Sequence, residues 1–257
     1  MKANYHTHTF RCYHAMGNEY AYIRRAIAAG IEVLGFSDHA PMLFPPEHDA
    51  YYRMKPSLLP DYVETILSLR EQYRGVLKMP LGFEVEYYPD LFASFLEMIR
   101  PYPIDYLILG QHFLGNEMGG AHVMKETKEE RILVDYVDQV IEGMNTGVFS
   151  CLAHPDVVFY TGDTIAFRRE MRRLCRAAKE CGLPLEYNLL GLSEGRNYPS
   201  PDFWPIAAEE GNAVILGWDA HRPTAFLQHE VEEKALTYLH SLGITPIETL
   251  PFRKIFP

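Results

Sequence analysis

Two histidines begin the chemistry of this chain. In Tyr5-His6-Thr7-His8-Thr9 they stand two apart, and residues two apart in an extended strand share a face. One strand end thus aims two imidazoles at one point, which is how a metal site starts. Similar fragments recur downstream: Ser37-Asp38-His39, Gly82-Phe83-Glu84, Gly110-Gln111-His112, Ala153-His154-Pro155 and Trp218-Asp219-Ala220-His221. Most follow an apolar run of strand type, and the last repeats the spacing of two. With His14 added, the candidate ligands are His6, His8, His14, His39, Glu84, His112, His154, Asp219 and His221. Imidazoles and carboxylates without clustered thiolates suit Zn, Fe or Mn. A catalytic zinc takes about three protein ligands and keeps an open position. Nine candidates therefore fit two or three ions, with a carboxylate bridging a pair.

The elements that must hold these residues alternate along the chain. Strand patterns fall at 2–6, 31–37, 79–87, 104–110, 148–153, 183–188 and 213–218, with a possible last short strand at 244–247. Helical periodicity falls at 19–29, 60–73, 90–100, 127–145, 164–181, 200–210 and 224–242. Residues 39–59 are irregular and rich in Pro, Tyr and Met, which marks a functional or mobile loop. Roughly seven βα units, with no linker or repeat, imply a parallel sheet that can close into a barrel. Every candidate ligand falls where such barrels carry their sites, at the C-terminal ends of the strands or just beyond. Chain 1–257 reads as a single domain.

Apolar residues make up 47% of the chain, enough for a sizeable core, and the net charge is −10 with no basic run. That balance argues against a nucleic-acid surface and against an anionic-membrane patch. No apolar stretch reaches the length of a membrane span, and the start carries no apolar leader segment. The four cysteines (Cys12, Cys151, Cys175 and Cys181) lack C-x-x-C spacing. The expectation is a cytoplasmic protein with reduced, mostly buried thiols, Cys12 serving packing rather than ligation.

Taken in order, H-x-H at 6–8, His14, S-D-H-A at 37–40, G-x-E at 82–84, Q-H at 111–112, A-H-P at 153–155 and D-A-H at 219–221 resemble the PHP (polymerase and histidinol phosphatase) superfamily over nearly the whole chain. Leu185-Glu186-Tyr187-Asn188 and Tyr198-Pro199-Ser200-Pro201 resemble its monofunctional histidinol-phosphate phosphatase branch. The resemblance implies a distorted (β/α)7 barrel holding three divalent ions. By motif position, His6, His8, Glu84 and Asp219 would hold one ion, Glu84, His112 and His154 the second, and His14, His39 and His221 the third. Glu84 is preferred to Glu86 because it occupies the G-x-E place. Such a site would carry a net charge of about +3 and suit a phosphomonoester dianion. The implied reaction is in-line attack of hydroxide on the phosphorus of L-histidinol phosphate, with Glu84, Asp219 and His221 as catalytic groups. Asp219 or His221 would protonate the leaving oxygen. Arg196 and Arg222 are the candidate phosphate clamps. Another small phosphomonoester, a nucleotide or a phosphodiester is the alternative substrate. A polymerase-associated module fits the chain length and acidic charge less well.

Several residues invite a plainer reading. His48, His122, His229 and His240 carry no motif and read as surface or loop residues. Tyr51 and Tyr52 fit either a lid over an imidazole or ordinary loop packing. Glu47 and Asp49 fit either a contact to the amine of histidinol or a solvated loop. Asp38 reads as orienting a neighbouring ligand.

Overall fold

The computed structural model describes residues 1–256. Its strands are short and all parallel: β1 (Ala3–Asn4), β2 (Val33–Leu34), β3 (Phe36–His39), β4 (Leu81–Val85), β5 (Tyr106–Leu109), β6 (Cys151–Leu152), β7 (Leu185–Asn188) and β8 (Val214–Gly217). β1 pairs with β2, and β3 to β8 form a second sheet in sequence order. β2 and β3 are one stave interrupted at Gly35. A Cβ there would lie 2.4 Å from the Tyr106 hydroxyl and 3.0 Å from the Tyr5 backbone.

The two sheets join through the segment after β1. Ser37 N donates to Thr7 O at 2.9 Å, His8 N donates to Ala220 O at 3.0 Å, and Ala220 N donates to His6 O at 3.0 Å. Together with the Thr7–Ala220 parallel bridge, these contacts close a ring of seven staves. The fold is thus the expected distorted (β/α)7 barrel, its first stave held partly by isolated bonds rather than a regular ladder.

The surrounding helices are α1 (Glu19–Ala28), α2 (Leu59–Gln72), α3 (Pro89–Ile99), α4 (Glu130–Asn145), α5 (Thr164–Glu180), α6 (Leu189–Glu194), α7 (Trp204–Glu210) and α8 (His229–Ser241). Their starts carry chemical signals. Asn18, Asp163 and Asn188 accept from backbone N–H groups of the first turns of α1, α5 and α6. Proline occupies the first turn of α2, α3 and α7, where its missing N–H leaves no bond unmade. α5 turns Met171, Leu174, Cys175 and Ala178 inward. Its outer arginines pair with Glu130, Asp138, Glu209 and Glu210 of neighbouring elements.

Inside the barrel a small apolar cluster of Ala3, Tyr5, Tyr106, Ile108, Cys151, Ala153, Ile215 and Leu250 fills the N-terminal half. The polar residues are left to crowd the opposite mouth. The C-terminal tail closes the floor, with Phe252 stacked on Tyr106 at 4.9 Å between ring centroids.

Beyond its shorter strands, the structure differs from the sequence expectation in three places. The segment before α7 contains a separate short helix, α6, started by the Asn188 cap. Residues 224–242 divide into a 3-10 turn at Pro223–Leu227 and then α8. Residues 244–247 form no strand: Ile247 N alone reaches Val214 O, at 2.7 Å. Pro246 has no N–H to extend a ladder, and the ring is already closed by the segment after β1. No helix among the described residues is long and apolar enough to cross a membrane.

Candidate metal centre

All nine predicted ligands meet at the C-terminal mouth of the barrel. Glu84, at the end of β4, sits in the middle. Its Oε1 lies 2.8 Å from His154 Nε2 and 3.8 Å from His112 Nε2. Its Oε2 lies 3.0 Å from His39 Nδ1 and 3.5 Å from the Nε2 atoms of His6 and His8. Asp219 Oδ1 lies 3.0 Å from His8 Nε2, 3.4 Å from His6 Nε2 and 3.2 Å from His221 Nδ1. His14, from the turn after β1, comes against His39 and His221. His6 with His8 and Asp219, His6 with Glu84 and His154, and His14 with His39 and His221 each bring their donor atoms within 4.8 Å of one another.

Close approach of this kind is set by glycines opposite the carboxylates. A Cβ at Gly110 would stand 2.0 Å from Glu84 Oε1, and one at Gly217 would stand 1.8 Å from Glu186 Oε1. His154 and Asp219 have φ of 29° and 46°. These left-handed conformations are uncommon for residues with a Cβ and carry backbone strain. Each stands two positions past the end of its strand, β6 and β8 respectively.

The donor atoms fit a bound metal. His6 Nε2, both nitrogens of His8, His39 Nδ1, His154 Nδ1, Glu84 Oε2 and Asp219 Oδ1 are buried and make no hydrogen bond. So many unsatisfied buried groups in one place call for a ligand. The sharpest case is His14 with His221. Each directs Nδ1 at a carbonyl, Cys12 O at 2.8 Å and Asp219 O at 3.0 Å, so each Nδ1 carries the proton. Their Nε2 atoms then face each other at 2.9 Å. Two neutral imidazoles in that pose would oppose lone pairs, which a shared cation resolves.

Charge points the same way. Burial alone would lower His6, but Glu186, Asp219 and Glu84 outweigh it and hold the ring up at about 10. Burial would raise Glu84 and Asp219, yet the surrounding imidazoles keep both well below the usual carboxylate range. His14 is pushed down to about 4 by burial and by His221 and His8. Burial also lowers His39 and His221. His14, His39 and His221 thus offer the neutral lone pairs a metal takes, whereas His6, and His8 and His112, which are raised as well, would yield a proton to a bound cation.

A ring of acceptors orients these side chains. Glu186 Oε1 lies 2.7 Å from His6 Nδ1, and its Oε2 accepts from His154 N and Asn188 Nδ2. Glu86 Oε1 lies 2.9 Å from His112 Nδ1. Asp38 accepts from His39 N at 2.8 Å and stands 3.5 Å from His8 Nδ1, in line with its expected orienting role. Burial would raise Glu86, but Arg53 and His112 bring its carboxyl down to about 2. Glu84 and Glu86 thus divide the work, one central and one behind His112. Glu186 and Glu86 had no assigned role in the sequence reading. The available signal was a carboxylate inside an otherwise apolar strand, as in Leu185-Glu186-Tyr187.

The centre opens into a cavity of about 620 Å³. Arg196 and Arg222 line one wall with Glu194 between them, 2.7 Å from Arg196 Nη2 and 3.7 Å from Arg222 Nη2. Arg196 also donates to the Tyr198 hydroxyl at 2.6 Å. Tyr51, Tyr52, Phe113 and His122 line the cavity as well. His122 is thus exposed, as expected, yet lies at the cavity rather than on remote surface. Tyr52 stacks on Phe113 at 5.6 Å. Glu47 and Asp49 are exposed and do not line the cavity, and Asp49 pairs with Lys55. His48 approaches Glu117, while His229 and His240 are exposed on α8. Cys12 is buried with its thiol directed at Thr9 O.

A parallel (β/α)7 barrel with a histidine–carboxylate cluster at its C-terminal mouth defines a metallohydrolase class of barrel. Residues 4–189 match the PHP domain, and the chain belongs to that family. It is 31% identical over 224 residues to a protein described as a probable histidinol-phosphatase from Deinococcus radiodurans, covering 85% of each chain. It is 26% identical over 254 residues to the histidinol-phosphatase of Bacillus subtilis, covering 86% of this chain and 94% of the relative. Its fold matches that of histidinol phosphate phosphatase from Lactococcus lactis, a structure complexed with zinc, L-histidinol and phosphate. The TM-score is 0.77 at 21% identity, over 98% of each chain.

Proposed function

We propose that this protein is a metal-dependent phosphomonoesterase that hydrolyses L-histidinol phosphate to L-histidinol and phosphate, a step of histidine biosynthesis. The observation that carries the reading is the convergence of nine histidine and carboxylate side chains on a cavity with two arginines in its wall. The relatives from Deinococcus and Bacillus support the substrate, as does the zinc, histidinol and phosphate bound by the Lactococcus protein. We assign three divalent ions of the Zn, Fe or Mn type to His6, His8, Glu84 and Asp219, to Glu84, His112 and His154, and to His14, His39 and His221. The whole of 1–257 is read as one catalytic domain, acting in the cytoplasm. The continuous ring of staves and four unpaired cysteines support that reading.

Divalent ions bound there supply an activated water and positive charge for the phosphoryl oxygens. The chain's own groups do the rest. Arg196 and Arg222 clamp the phosphate, and Glu194 holds their guanidinium groups apart and aimed into the cavity. Glu84 fixes the centre from below. Asp219 and His221 both line the cavity. Asp219 is held as a carboxylate, so of the two His221, whose Nδ1 carries a proton, is the group assigned to deliver a proton to the departing alkoxide oxygen. Tyr51, Tyr52 and Phe113 form an aromatic wall that suits the imidazole of histidinol and excludes water.

The test is phosphate release from L-histidinol phosphate by the metal-replete protein, with an aryl phosphate alongside. A kcat/KM of about 10⁴ M⁻¹s⁻¹ or more for histidinol phosphate, well above the aryl ester, supports the reading. Equal, slow turnover of both moves the substrate to another small phosphate.

A further inference from the structure

Arg53 belongs to the irregular segment between β3 and α2, yet it is 1% exposed. A buried guanidinium needs every donor answered, and here the answers come from three directions. Nη1 donates to Glu86 Oε2 at 2.8 Å and to Ala40 O at 3.1 Å. Nε donates to Glu117 Oε1 at 2.7 Å, and Nη2 reaches the Tyr88 hydroxyl at 3.3 Å. Glu86 uses its other oxygen on His112 Nδ1, at 2.9 Å. Glu117 belongs to the loop that also brings Phe113 and His122 to the cavity. Tyr52, next to Arg53, stacks on Phe113.

We propose that Arg53 is a positioning residue. Through Glu86 it fixes the ring and tautomer of His112, and through Glu117 it ties both cavity loops to that ligand. The inference rests on the metal-centre reading above. Glu86 accepts from His112 Nδ1, so Nε2 presents its lone pair towards Glu84, whose Oε1 is 3.8 Å away. Glu86 keeps that orientation because the planar fork of Arg53 holds its second oxygen. A lysine cannot span Glu86 and Glu117 together. A loop needing only an anchor would be served by apolar packing, without a buried cation between two carboxylates.

The experiment compares Arg53→Met, Arg53→Lys, Glu86→Gln, Glu117→Gln and the double variant R53M/E86Q. Bound Zn²⁺ per chain is counted after dialysis against a graded chelator, with aryl phosphate turnover alongside. R53M and E86Q are each expected to hold the most labile ion 10- to 100-fold less tightly. The double variant should be no worse than either single change, because the two residues act as a unit. R53K should recover part of the loss. E117Q should keep zinc retention near wild type while raising KM. The proposal is overturned if R53M folds with wild-type zinc retention and only a lowered Tm. It is overturned equally if the two losses simply multiply in the double variant. Should R53M not fold, R53K and E117Q decide: equal zinc loss in both rejects the route through Glu86. Zinc retention is read without substrate, so failure to turn over histidinol phosphate would strike the proposed function and leave this inference standing.

Discussion

Replacing Gly110 with alanine adds one methyl group at the end of β5, opposite the central carboxylate. That Cβ would lie 2.0 Å from Glu84 Oε1 and 2.8 Å from both its Cδ and Cγ, whereas real Cβ contacts stay beyond 3.0 Å. The carboxylate must therefore retreat by about 1 Å or more, and three clashing atoms mean the whole side chain moves. It has nowhere near to go, with His154 Nε2 at 2.8 Å and His39 Nδ1 at 3.0 Å. Misplacement of about 1 Å at a reacting centre costs roughly 100-fold in rate, or about 2.7 kcal/mol of barrier. Gly110 is not among the positive-φ residues, so alanine is compatible with the backbone and the fold is spared. The assay is kcat on an aryl phosphate together with zinc content, and Gly217→Ala serves as comparator. There the methyl meets Glu186, which orients His6 instead of standing at the centre, so a smaller loss of roughly tenfold is expected. Wild-type turnover and zinc content in G110A would refute the placement of Glu84.

Chelation should abolish phosphate release while leaving the barrel folded by circular dichroism, and Zn²⁺ or Mn²⁺ should restore it; activity that survives exhaustive chelation would exclude the metal reading. Arg196→Met and Arg222→Met should each lower kcat/KM about 10- to 100-fold, the worth of a charge-assisted hydrogen bond, with zinc content unchanged. Burial pushes the Asp156 carboxyl up to about 7, against 3.8 in a solvated chain. The folded state then keeps a proton that the unfolded chain has released, so stability falls as pH rises through that window. Thermal melts of metal-stripped protein should show this decline, and Asp156→Asn should flatten it.

The candidate ligands were legible because most follow an apolar strand run, and parallel strands in sequence order put such ends on one face; His14, beyond the turn Phe10–Cys12, does not follow a strand. Spacing of two along a strand paired His6 with His8 and Asp219 with His221, whereas the choice of Glu84 over Glu86, two residues on and on the same face, rested on the G-x-E motif. The bonds that orient them were not legible. Glu186 serves His6 across 180 residues of chain, and Arg53 serves His112 through Glu86, and no local spacing encodes either. The strand boundaries shrank for a related reason. Residues 2–6 read as one strand, but only Ala3–Asn4 pair regularly with β2, after which the chain bonds alternately to Ser37 and Ala220. Residues 244–247 have strand composition, but the ring offers them no free edge. Composition cannot reveal whether an edge is available.

The seam of the barrel also sets an order of events at the ribosome. Trp218 N donates to the Asn4 side chain 214 residues earlier, and the bonds around Thr7 wait for Ala220. At about 5–20 residues per second, the first stave emerges roughly 10–40 s before the last one that clasps it. During that interval His6 and His8 lack Asp219, and His14 lacks His221. The nascent chain therefore offers loose imidazole pairs, and the full donor set at the mouth exists only after the final stave has docked.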